Sequence, residues 1–117
     1  MLMLANVLAA LVALLHLYFL VLEMFFWTKP LGRKAFGLKA DFAEQSKALA
    51  ANQGLYNGFL AAGLVWGLVA DRTDVQVFFL VCVVVAGAYG AATVSRRILF
   101  VQAVPALVGF GLVLFSL

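Results

Sequence analysis

The sequence is short of the residues that build stapled or metal-bound folds. It holds one cysteine, Cys82, and one histidine, His16, in 117 residues. A lone thiol closes no internal disulfide, and a catalytic zinc site would lack its third protein ligand, so no metal is expected. Cys82 lies inside an apolar run and reads as a small buried hydrophobe. Charge is equally scarce: 11% of residues are charged and 67% are hydrophobic, whereas an ordinary soluble domain is roughly 25% charged. That shortfall excludes a single soluble domain and points to lipid. No Lys or Arg precedes Lys29, so the first apolar block lacks the basic region of a secretory signal and is expected to stay as a helix. Neither a Pro- or Ser-rich linker nor a convincing repeat divides the chain, and a single domain over 1–117 is expected.

What is present is apolar length. A helix crossing the hydrocarbon layer needs about 20 apolar residues, because lipid cannot satisfy exposed peptide groups. Four blocks qualify, at about 2–27, 48–70, 75–95 and 98–117. The first connection carries Lys29, Arg33, Lys34, Lys39 and Lys47 against Asp41 and Glu44. The second carries Asp71, Arg72 and Asp74, and the third Arg96 and Arg97. Seven of the eight basic residues thus fall in the first and third connections, which the positive-inside rule places in the cytoplasm. The net charge of +3 is a topology signal and forms no separate face for nucleic acid. Both termini are expected outside, in a multi-pass protein of a bacterial inner membrane. Phe25, Phe26 and Trp27 fit an interfacial aromatic belt, and Phe36, Leu38 and Phe42 a short amphipathic segment on the membrane surface.

Polar groups inside the apolar blocks carry the functional information. His16 and Glu23 stand seven residues apart, which sets them within about 20° of one another on a helix and about 10 Å apart along it. The second block carries Asn52, Gln53, Tyr56 and Asn57, the third Tyr89, Thr93 and Ser95, and the fourth Gln102. The expected topology brings Glu23, Asn52, Gln53, Tyr89 and Gln102 to the cytoplasmic half, with His16 and Asn57 deeper. A polar cavity opening inward beneath a rim of Lys and Arg is the expectation. On the second helix, Gly54 with Gly58 and Gly63 with Gly67 have the small-xxx-small spacing that lets backbones approach. Two packing faces exceed what four helices need, so a homo-oligomer is expected.

Each group also has a plainer reading. Asn52, Gln53, Asn57 and Gln102 could bond between helices, Tyr89 could pack or sit at the interface, and Arg96 and Arg97 could only set topology. A neutral His16 needs no more than one amide. Glu23 is the hardest to reduce to structure, since an acid within a span must be paired, protonated or open to water.

The run from His16 through Tyr18 and Glu23 to Trp27, followed by Asn52-Gln53-Gly54-Leu55-Tyr56-Asn57-Gly58, resembles the bacterial membrane family called domain of unknown function 1304, over nearly the whole chain. That resemblance implies a small four-helix membrane protein and no assigned activity. More distantly, the chain is similar to the superfamily of membrane-associated proteins in eicosanoid and glutathione metabolism. Its second-helix pattern Arg-x-x-x-Asn-x-x-Glu-Tyr is matched by Asn52 and Tyr56, with Ala48 and Leu55 at the Arg and Glu positions. Tyr89, Arg97, Gln102 and Pro105 echo the order of its later motifs. This likeness implies a homotrimer with a glutathione site between subunits.

The expected fold is therefore an all-α membrane protein, a four-transmembrane-helix bundle. Three functions fit it. One is a glutathione-transferase-like enzyme or a binder of an amphipathic anionic ligand, using His16, Glu23, Asn52, Gln53, Tyr56, Asn57, Tyr89, Arg97 and Gln102. Another is a small transporter or proton-coupled carrier with a relay of His16 and Glu23. The last is a structural subunit packing through its glycine faces.

Overall fold

The computed structural model describes residues 2–93 and 99–116. These form α1 (Leu2–Phe25), α2 (Pro30–Phe36), α3 (Ala40–Val69), α4 (Thr73–Thr93), a π-helical turn over Leu99–Ala103, and α5 (Val104–Ser116), with no strand among the described residues. The fold is all-helical. α1 and α4 are long and apolar enough to cross a membrane, and Phe100–Phe115 is apolar but shorter. Arg96 and Arg97, including the expected ligand-binding Arg97, lie outside the described residues.

The helices differ from the apolar blocks where propensity and hydropathy part company. α3 begins at Ala40, well before the apolar block at 48, because its first turns are rich in Ala, Glu, Gln and Lys and hold no Gly or Pro to stop a helix. Glu44 and Lys47 form an ion pair one turn apart there. The expected surface segment of Phe36, Leu38 and Phe42 is consequently divided: Phe36 closes α2, and Phe42 lies in α3. α2 is a separate short helix, started by Pro30 in its first turn and stopped by Gly37 in the left-handed region at φ 67°. The Leu38 N–H closes it by donating to the Arg33 carbonyl at 2.8 Å, the usual end for a helix that must turn at once.

The chain gathers into two compact units. One holds the chain up to Leu14 and from Leu60 onward, and the other holds Leu15–Phe59. The first unit is built around Ala5, Val12, Ala13, Leu64, Leu80, Val83, Ala106 and Val113, contributed by α1, α3, α4 and α5. Its α3–α4 turn ends α3 with Asp71 at φ 52°. The Arg72 N–H donates to the Gly67 carbonyl at 2.9 Å, and the Arg72 guanidinium then clasps Asp74 through two bonds of 2.9 and 2.7 Å. Beyond α4, the π-helical turn stands directly before Val104 and Pro105. Proline has no N–H to give and its ring crowds the carbonyl four residues back, and the wider π turn relieves both.

Candidate functional site

The second unit contains the one buried acid among the described residues. Glu23 is 5% exposed and lies two residues before Phe25, the last residue of α1. Its Oε1 accepts a hydrogen bond from the Asn57 side-chain amide at 2.5 Å, joining α1 to α3. The two helices meet closely enough for this because Gly54 and Gly58 take up almost no room. A side chain begun at Gly54 would stand 2.7 Å from Met24 Cγ, 3.1 Å from Glu23 Cβ and 3.2 Å from the Leu20 carbonyl oxygen, and one at Gly58 would stand 2.6 Å from Leu20 Cδ1. The small-xxx-small pair is thus the face α3 turns to α1, with Asn57 bordering it.

His16 is 0% exposed, and its ring meets Phe19 edge-on at 5.7 Å between centroids. His16 and Glu23 are therefore buried in the same unit. Trp27, just past α1, donates its indole N–H to the Ser46 hydroxyl at 3.0 Å and packs against Phe36 at 5.0 Å, which ties the end of α1 to α3.

Asn52, Gln53 and Tyr56 are exposed on α3, and the Tyr56 ring stands edge-on to Phe59 at 5.7 Å. Tyr89 is 72% exposed and belongs to the first unit, where its carbonyl accepts a 2.7 Å hydrogen bond from the Thr93 hydroxyl. Gln102, in the π-helical turn, is half-buried in that same unit.

Two polar residues escaped the sequence reading, both in the first unit. Gln76 is 3% exposed, and its Nε2 donates to the Gly67 carbonyl at 3.4 Å while its Oε1 has no hydrogen-bond partner among the described residues. Asn6 Oδ1, in the second turn of α1, is buried and likewise without one. The signal was present in both, each an amide within an apolar block, although Gln76 stands only two residues past Asp74.

An apolar, all-helical chain with a carboxyl buried between two glycine-packed helices is the class these features define. The chain belongs to the family described as protein of unknown function (DUF1304), which matches residues 10–114. It is 27% identical over 106 residues to the uncharacterized protein YpaA of Lactococcus lactis subsp. lactis (strain IL1403), covering 87% of this chain and 89% of that protein. No solved structure matches it.

Proposed function

We propose that this chain is a four-span protein of the bacterial inner membrane, with both termini outside, and that it acts as a small proton-coupled carrier whose working group is Glu23. The Glu23–Asn57 hydrogen bond carries the reading. An amide offers both a donor and an acceptor. While Glu23 is ionised, the Asn57 N–H satisfies a carboxylate oxygen; once Glu23 takes a proton, a turn of the amide presents the Asn57 carbonyl to the new O–H. The pair thereby serves both protonation states without leaving a buried group unpaired, which a lysine partner could not do. His16 supplies a second titratable group about 10 Å farther along the same helix.

The span assignment draws on the lengths of α1 and α4 and on the segregation of basic residues. The exposed amides of Asn52 and Gln53 support a homo-oligomer, since neither finds a partner in lipid. The alternative, an enzyme for glutathione or another anionic ligand, would draw its cation from Arg97, which lies outside the described residues.

Proteoliposomes with a trapped pH dye test the proposal. Under an imposed membrane potential, the wild type should pass protons and Glu23→Gln should not; equal flux from both, or none from either, would refute it.

A further inference from the structure

We propose that the first connection also carries a binding site for the phosphate of an anionic phospholipid, built on α2. This rests on the membrane-embedded reading above. α2 is held firmly in its place: Gly32 lies so tightly on the Phe26 carbonyl and Trp27 that no side chain fits there, and the Phe36 ring packs against Trp27, tilted by 50°. The surface of this short helix combines exposed cations, Lys29 and Lys34, with exposed apolar side chains, Leu31 and Phe36. That combination suits the boundary between headgroups and acyl chains, and neither bulk water nor hydrocarbon alone.

The charge there is unbalanced. Lys47 is neutralised by Glu44, and the Asp41 carboxylate accepts the Phe42 N–H at 2.9 Å. Lys29, Arg33, Lys34 and Lys39 have no ion-pair partner among the described residues. Basic clusters of this size beside the cytoplasmic end of a span attract anionic lipid. Arg33 differs from the others in its Nε, which is buried with no hydrogen-bond acceptor among the described residues. That Nε is closed to solvent and so to a phosphate, but Arg33 as a whole is only half-buried, and its guanidinium charge adds to the exposed cations that would hold phosphate oxygens. A phosphodiester supplies those oxygens and the missing negative charge, and its acyl chains continue along Leu31 and Phe36. A soluble anion would satisfy the cations and leave that apolar surface bare.

The test uses the full chain in nanodiscs of phosphatidylcholine with an equal part of phosphatidylglycerol. After extraction in mild detergent, lipid retained on the protein is identified by native mass spectrometry. The expected result is several-fold enrichment of phosphatidylglycerol on the wild type, lost in Lys29→Gln/Arg33→Gln/Lys34→Gln and reduced in the milder Lys29→Gln/Lys34→Gln, whose two sites are exposed. Lys47→Gln, already paired within the protein, should keep the enrichment. Retained lipid in the bulk ratio, or enrichment unchanged in both charge variants, would overturn the site while leaving the membrane reading intact. A chain that stays soluble and never enters the nanodisc would overturn the membrane reading itself.

Discussion

Asn57 donates its side-chain amide to Glu23 across the contact of α1 with α3, at 2.5 Å. Removing either partner strands the other in a place with little access to water. Glu23→Ala and Asn57→Ala should each lower stability by about 1–3 kcal/mol. Glu23→Gln should cost less, since its amide oxygen still accepts from Asn57. Denaturant unfolding in detergent checks the order, and the double variant Glu23→Ala/Asn57→Ala should cost less than the two single variants summed.

The glycines of α3 should differ in their tolerance of a methyl group. Gly54→Ala meets the Leu20 carbonyl oxygen and Glu23 Cβ, which cannot easily give way, whereas Gly58→Ala meets the end of the flexible Leu20 side chain. Gly54→Ala should cost about 1–3 kcal/mol and loosen the Glu23–Asn57 bond, with Gly58→Ala clearly milder. Thermal unfolding of the two variants side by side gives the ranking.

Two helix ends adopt left-handed backbone, at Gly37 with φ 67° and at Asp71 with φ 52°. A side chain is strained there by about 1–2 kcal/mol, less for an Asp than for most residues. Gly37→Ala should therefore destabilise by about 1 kcal/mol and Asp71→Gly should stabilise by a smaller amount. Opposite shifts in melting temperature are the expected outcome; shifts of the same sign would contradict these assignments.

Much of the helix plan is legible in apolar length, as α1 and α4 fall within two residues of the blocks at 2–27 and 75–95. The start of α3 is not, because its opening turns are polar yet strongly helix-forming, so hydropathy ends where propensity continues. Among the candidate residues, Glu23 and Asn57 were both visible as polar groups in apolar surroundings, but their pairing was not. The expected topology set Asn52 level with Glu23 and Asn57 deeper, whereas the structure bonds Asn57 to Glu23. The packing face decides between them: Asn57 lies only about 60° around the helix from Gly54, and Asn52 about 160° from it. The amide bordering the glycine face reaches the neighbouring helix, while Asn52 is exposed. Gln76 was missed for a different reason, standing only two residues past Asp74 at the edge of an apolar block.

The central claim is that Glu23 exchanges a proton inside the membrane while Asn57 follows its state. Difference infrared spectroscopy of the reconstituted protein, recorded as pH is changed, reads this directly through the carboxyl C=O stretch. A pH-dependent carboxyl band, absent in Glu23→Gln and shifted in Asn57→Ala, is the expected result. A spectrum whose carboxyl bands are the same in wild type and Glu23→Gln would contradict it.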